Sequence, residues 1–308
     1  MASDVSVHHW LILNGKGAGS PEIRAAVEAA RTGGHDLRVR VTWEAGDAGR
    51  HVQEAAAAGA TTVIAGGGDG TVNELVTALL QLQPGQRPAL GILPLGTAND
   101  FARGAGIPLE PAAALELALQ GGLRPIDAVK VNERAFLNMA TGGFGAQLTV
   151  ETPEEQKALL GGFAYLLTGL TRFASITADM GSLHGPDFSW AGSFLVLAIG
   201  NGCQAGGGHR LCPEALLDNG LLDVRIIAGE ELLPALMTRL LEGEDGDSVI
   251  KARLPWLTLE TPNEIFLNLD GEPMAGRKFR IEVQEGALRC RLPEDCPLLS
   301  ASAGLKGT

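Results

Sequence analysis

Ala65-Gly66-Gly67-Gly68-Asp69-Gly70-Thr71 joins a short apolar run, residues 61–65, to a segment, residues 71–81, in which Val72, Leu75, Val76, Leu79 and Leu80 recur at i, i+3, i+4, i+7 and i+8. That spacing lays an apolar stripe along a helix and leaves Asn73 and Glu74 off the stripe near its start. A buried strand, a glycine turn and an amphipathic helix therefore follow one another. Glycines let the main chain take left-handed angles and come close to a ligand, and the free amides of a helix start face an anion. The stretch suits a bound phosphate; taken alone it also reads as a tight turn. It is neither a Walker motif nor the G-x-G-x-x-G dinucleotide fingerprint.

Working outward, further β-branched apolar runs at 10–14, 37–42 and 89–95 alternate with helical patterns at 22–32 and 48–58 and with two short helices after residue 95. Such alternation predicts βαβ units and a largely parallel sheet. Beyond about residue 132 the texture changes. Strand-like runs at 135–139, 194–199, 221–227, 257–261, 265–269, 279–283 and 287–292 are interrupted only by helical patterns at 154–174 and 231–242, which predicts an antiparallel β domain. We expect an α/β nucleotide-binding domain over 1–132, completed by a C-terminal return at about 293–308, and a β domain over 133–292. A length of 308 residues agrees with two domains at about 150 residues each.

Composition narrows the function. Hydrophobic residues are 45% and charged residues 19%, an ordinary globular balance. The net charge of -12 argues against nucleic acid held by a broad basic surface. Glycine is abundant, 42 residues with no Gly-X-Y period, so each cluster needs its own reading. The chain opens without a cationic, apolar export signal, and its longest run of apolar residues and glycine, 158–167, is far short of the roughly 20 that a membrane span needs. A soluble, cytoplasmic protein is expected. Cys203, Cys212, Cys290 and Cys296 have neither zinc-site spacing nor the density of a disulfide scaffold, and read as reduced thiols. The acidic run 242–247 lacks EF-hand spacing and reads as a solvated loop.

A second loop sharpens the first. Leu93-Pro94-Leu95-Gly96-Thr97-Ala98-Asn99-Asp100-Phe101-Ala102-Arg103 follows the next strand, and in open α/β sheets ligands bind beyond the carboxyl ends of strands, where both loops would meet. Asp69 and Asp100 would repel bound phosphates unless a divalent cation lay between them, and a magnesium nucleotide resolves that conflict. Asn14-Gly15-Lys16-Gly17-Ala18-Gly19 ends the first strand, with Lys16 either a phosphate contact or a solvated side chain. Near the other end, Asn268-Leu269-Asp270-Gly271-Glu272-Pro273 turns after an alternating strand and presents Glu272 just beyond it.

These residues together resemble the diacylglycerol kinase-like catalytic family, and most closely the bacterial YegS-type lipid kinases. The motifs are Gly67-Gly68-Asp69-Gly70-Thr71 with Asn73-Glu74, residues 94–102, Asn138-Met139-Ala140-Thr141-Gly142-Gly143-Phe144-Gly145, and Asp270-Gly271-Glu272-Pro273, and the likeness runs from about residue 10 to residue 299. The resemblance implies a kinase that phosphorylates a lipid hydroxyl with ATP, built from an α/β nucleotide domain and a β-sandwich domain with the active site in the cleft between them. It implies ATP contacts from Thr42, Gly68, Asp69, Gly70, Thr71, Val72, Asn73, Glu74 and Thr97. It makes Glu272 the general base, a role open to a carboxylate within reach of the attacking hydroxyl. It also draws Asp69, Asp100 and Asp127 into a carboxylate, water and magnesium network across the cleft.

The family further carries a structural divalent-metal loop, magnesium or calcium, in which an Asp directly precedes a Gly. Here Asn219 stands in that place and Asp218 one residue earlier. Three outcomes stay open: binding through Asn219 with the carbonyls of Leu216 and Leu221, binding through Asp218, or no metal, since an amide oxygen is a poorer ligand for a hard cation than a carboxylate. Gly15 also replaces a proline common in the family, which should loosen that loop.

A lipid substrate implies transient peripheral contact with the inner membrane surface. The net charge opposes general adsorption to anionic headgroups. A local apolar entrance over 158–167, beside Lys157 and Arg172, is one reading of that stretch and a core helix the other. The loop 204–210, with His209 and Arg210, is equally a headgroup contact or a plain connection, and His8 and His9 receive no role. No stable protein partner is expected. Two other functions are weighed: a soluble-substrate kinase similar to NAD kinases, which share the Gly-Gly-Asp-Gly turn but not the other motifs, and a non-catalytic nucleotide or lipid sensor, against which Asp69 and Glu272 both speak.

Overall fold

The computed structural model describes residues 8–143, 178–229 and 249–300. Contacts divide the chain into two compact units, Met1–Ile126 with Gly286–Pro297 and Asp127–Glu285 with Leu298–Thr308.

The first unit alternates β1 (His8–Asn14), α1 (Pro21–Thr32), β2 (Asp36–Thr42), α2 (Asp47–Ala57), β3 (Thr62–Gly67), α3 (Asp69–Gln81), β4 (Ala89–Pro94), α4 (Asp100–Gly104) and α5 (Pro111–Gln120). The expected parallel sheet is present. Its order is β4-β3-β1-β2, with Asn14 opposite Thr42, Leu13 opposite Gly66 and Gly67 opposite Pro94. Right-handed crossovers from that order put α1 on one face and α2 and α3 on the other. Leu11, Leu13, Ile64 and Leu93 pack with Leu115 and Ala118 of α5 and Ile23 of α1 in one core, each large side chain contributing about 1.5–3 kcal/mol when buried. Local signals start the helices where they start. Ser20 Oγ accepts the Ile23 amide at 3.3 Å, with Pro21 at the first position of α1, and the Glu110 carboxylate accepts the amides of Ala112 and Ala113 ahead of α5.

The second unit is antiparallel and sandwich-like, made of β6 (Arg134–Phe136), β7 (Met139–Gly143), β8 (Asp179–Gly185), β9 (Phe188–Gly200), β10 (Leu222–Ala228), β11 (Val249–Leu254) and β12 (Trp256–Leu269), with β5 (Gly122–Val131) and β13 (Glu272–Leu292) running in from the first unit and out to it. The end of β13 lies parallel to β4 through Cys290 and Leu90. Val129, Phe136, Leu197, Leu222, Leu257, Leu267 and Ile281 close one apolar core.

Three strands lie where the sequence signalled none. β8 offers only Leu183 as a fully buried apolar residue between two glycines, too little for a period-2 pattern. β5 opens on glycine and carries Pro125, and β11 is half exposed. The runs 257–261 and 265–269 fuse into β12 across a register shift between Glu260 and Ile265, and 279–283 and 287–292 fuse into β13. In α3, Asn73 is buried and not off the packed side. The residues 154–174, 231–242 and 242–247 lie outside the described residues, as do Phe144, Gly145 and the expected apolar entrance. Among the described residues no helix is long and apolar enough to cross a membrane.

Candidate active site

The loops after β3 and β4 meet at glycine on glycine. A Cβ at Gly68 would stand 3.1 Å from the Gly96 Cα, and one at Gly96 only 2.5 Å from the Gly68 Cα, so neither position tolerates a side chain without prying the loops apart. The Leu95 amide donates to the Gly67 carbonyl at 2.8 Å. Gly68 caps α3 with no side-chain hydrogen bond, so no capping side chain covers the start of this 13-residue helix, the end that favours an anion. Thr71, Val72 and Asn73 are buried in that first turn, while Glu74 is exposed and Gly70 half-buried.

Asp69 does structural work as well. Its carboxylate accepts the amides of Asp100 at 3.2 Å and Phe101 at 3.3 Å, and so closes the start of α4 from the neighbouring loop. A carboxylate oxygen can accept more than one partner, so the side chain that seats α4 is also of a kind that can face a cation. Asn99 stands in the left-handed region at φ 50° and clamps its own loop, accepting the Gly96 amide at 2.8 Å and donating to the Gly96 carbonyl at 2.7 Å. Asp100 is buried behind it, and Thr97 is exposed at the tip.

The first strand brings a third loop to the same sheet edge. Asn14 Nδ2 donates to Thr71 Oγ1 at 3.5 Å, its Oδ1 accepts the Lys16 amide at 3.0 Å, and a Cβ at Gly17 would lie 3.1 Å from a Leu95 methyl. Thr42 is paired with Asn14 and donates to the Leu13 carbonyl at 3.4 Å. The sequence-derived nucleotide residues of this unit therefore converge on one edge, Lys16 among them with an exposed side chain. Trp43, directly after Thr42, escaped the sequence reading. It is 93% exposed, yet its amide is held by Asp47 Oδ2 at 2.7 Å, and Asp47 is buried and paired with Arg50 at 2.6 Å. The Trp43 and Glu44 amides hold the Asp47 carboxyl below its usual range. A large aromatic raised on a braced loop was legible only as a Trp immediately past a strand end.

In the second unit, Asp270 and Gly271 form the two-residue turn between β12 and β13, both at positive φ, 51° and 100°. The Asp270 carboxylate accepts the amides of Leu137 at 2.7 Å, Asn138 at 3.1 Å and Met139 at 2.8 Å, and the Gly271 amide donates to Asn268 Oδ1 at 2.6 Å. Asn138 in turn donates to the Gln204 carbonyl at 2.8 Å. The Asn138 motif thus seats the turn, and Glu272, half-buried at the head of β13, is presented from a fixed base.

The metal-loop residues are otherwise engaged. Asp218 accepts the amide of Ser300 at 2.9 Å and its hydroxyl at 2.8 Å, Asn219 Oδ1 accepts the Leu221 amide at 3.0 Å, and Asp127 Oδ2 accepts the Gly220 amide at 2.8 Å. The donors at Leu216, Asn219 and Leu221 themselves are neutral oxygens, poorer ligands for a hard divalent ion than a carboxylate, and among the described residues no group of three or more His, Cys, Asp or Glu could hold a metal. None of the four cysteines is in a disulfide, all are buried, and burial pushes the Cys212 and Cys290 thiols up, away from reactivity.

A parallel sheet whose strand-end loops close on one another beside a helix start, followed along the chain by an antiparallel unit with an acid at a seated hairpin turn, is the layout of a phosphotransferase. Residues 8–131 match the diacylglycerol kinase catalytic domain and residues 140–291 the YegS C-terminal NAD kinase beta sandwich-like domain. The chain is 55% identical over 293 residues to the probable lipid kinase YegS-like of Yersinia pestis (strain Pestoides F), covering 95% of this chain and 99% of that protein. The protein of the same name from Yersinia pseudotuberculosis serotype O:1b gives the same figures. A crystal structure of a diacylglycerol kinase from Bacillus anthracis str. Sterne is similar at a TM-score of 0.75 and 26% identity, covering 94% of this chain and 98% of that one. The chain belongs to the diacylglycerol kinase catalytic family, in its YegS-type branch, and is a kinase.

Proposed function

We propose that the protein transfers the γ-phosphoryl group of ATP to a hydroxyl of a glycerolipid, diacylglycerol or phosphatidylglycerol in kind. One observation carries the reading: the Gly68–Gly96 contact, which shapes two strand-end loops and the α3 start into a cradle that only backbone could approach so closely. The lipid acceptor rests on the names of the relatives.

In this mechanism the amides of residues 68–71 hold the triphosphate, Thr42 and Thr97 contact the nucleotide, and the indole of Trp43 offers the base a stacking face. Glu272 accepts the proton of the lipid hydroxyl as its oxygen bonds to the γ-phosphorus, the bond to the β–γ bridging oxygen breaks, and ADP leaves. Asp69 would hold a magnesium ion entering with the nucleotide, whose chemistry is to neutralise the phosphoryl oxygens. The protein reaches its substrate by transient contact at a membrane surface.

Turnover of labelled ATP over mixed micelles of diacylglycerol, phosphatidylglycerol and phosphatidylcholine, with NAD as a soluble acceptor, tests the reading. We expect label in a glycerolipid and none in NAD. Label in NAD alone would assign a soluble-substrate kinase, and ADP binding without any transfer would assign a sensor.

A further inference from the structure

A second pocket in the first unit lies at the opposite end of the sheet from the nucleotide loops. Its volume is about 870 Å³, and it is lined by the residues just before β3 and β4 together with the ends of α2, α3 and β13. β3 spans six residues, so at about 3.3 Å per residue this pocket stands about 20 Å from the phosphate cradle. Three arginines line it, Arg87, Arg289 and Arg291, and no aspartate or glutamate does.

Among the described residues none of the three makes an ion pair. Arg87 donates to the carbonyls of Leu82 at 3.0 Å, Ala287 at 2.8 Å and Leu80 at 3.1 Å, and Arg291 donates from Nη1 to the Gly121 carbonyl at 2.6 Å. Carbonyls fix where a guanidinium stands without cancelling its charge. Arg291 Nε is buried with no hydrogen-bond partner, and Arg289 is exposed, with only a 3.5 Å contact to the Arg87 carbonyl. Burial pulls Arg87 and Arg291 below the usual arginine range, and the charge of Arg289 adds to the pull on Arg291. In a chain of net charge -12, three cations are gathered in one concavity with no acidic residue in its described lining. Leu82 and Leu123 supply an apolar side to the same pocket.

We propose that this pocket binds a phosphomonoester, its phosphate on the arginines and its organic part against Leu82 and Leu123. A guanidinium fork matches phosphate oxygens in pairs, and a dianion answers several close cations where a single carboxylate would not. The phosphate belongs to a free metabolite or to a lipid headgroup, and the chemistry recognised is the same.

Calorimetric titration of glycerol 3-phosphate into the full chain saturated with ADP, beside flotation with phosphatidylcholine vesicles with and without phosphatidic acid, separates the two sources. We expect binding in at least one arm, weakened about ten- to a hundredfold by Arg289→Glu and less by Arg289→Lys, which keeps the charge without the fork, with ADP affinity unchanged in both variants. Arg289 is exposed, and its melting temperature relative to wild type reports whether each variant folds. Loss of glycerol 3-phosphate binding on ADP saturation would place it in the nucleotide cradle and overturn the proposal. So would absence of binding in both arms, or an Arg289→Glu protein that binds as wild type does. Should ADP itself fail to bind, the nucleotide reading falls, and the Arg289 comparison without ADP still decides this pocket.

Discussion

Asp270 and Glu272 stand two residues apart and do opposite things. Asp270 spends its carboxylate on three backbone amides, whereas Glu272 keeps a half-exposed side chain at the strand head. The sequence marked the turn and the acid beyond it, because Asp-Gly between apolar alternation is a hairpin signal. It could not show that the partner of Asp270 is the segment 137–139, some 130 residues away, since such pairing has no local pattern. His9 is a similar case. A histidine at the chain's start drew no role, yet it is buried in β1 with Nδ1 unpartnered. Burial, with the nearby His35 and Arg291, lowers its pKa from 6.5 to about 4. Between those values the unfolded chain binds a proton that the folded chain refuses. The contribution of neutral His9 is therefore full above about pH 6.5 and is lost as the pH falls toward 4. Denaturant melts of wild type and His9→Asn should show the stability gap between them shrinking by up to about 3 kcal/mol across that window. A gap constant with pH would contradict a buried neutral imidazole.

At the scale of elements, the helices and parallel strands of the first unit were legible because each carries its own period and its own punctuation. β1, β3 and β4 are largely apolar runs, β2 alternates Leu37, Val39 and Val41 with polar residues, and α1 begins at a Ser-Pro pair. The meeting of two loops was legible too, as two glycine stretches after successive strands. Its closeness was not, because the Gly68–Gly96 contact depends on the register of β3 against β4. Gly96→Val places branched carbons into the Gly68 backbone, so ADP affinity should fall at least about tenfold, while the urea midpoint moves little because the loop lies outside the core. Calorimetry with ADP and pyrophosphate on the folded variant checks it; unchanged affinity for both ligands would remove these loops from phosphate binding. The strands β5, β8 and β11 were missed for the converse reason. They are held by neighbours on the sheet, not by an alternating pattern of their own.

For the whole molecule, the charge of -12 sets the terms on which a lipid can be met. A polyanion is repelled by an anionic surface, and salt screens the repulsion over a Debye length of about 8–10 Å at physiological strength. Turnover on phosphatidylglycerol-rich vesicles should therefore rise as salt is raised from about 10 mM to 150 mM, and turnover on zwitterionic vesicles carrying diacylglycerol should stay level. A fall with salt on the anionic vesicles would point to a basic contact surface instead. The most direct test of the account as a whole is a paired measurement on Glu272→Gln and wild type, turnover of labelled ATP on diacylglycerol micelles alongside the ADP dissociation constant. The account predicts a loss of at least about a hundredfold in turnover, the low end for a general base, with ADP bound as tightly as before; near-normal turnover in a variant that folds would contradict it.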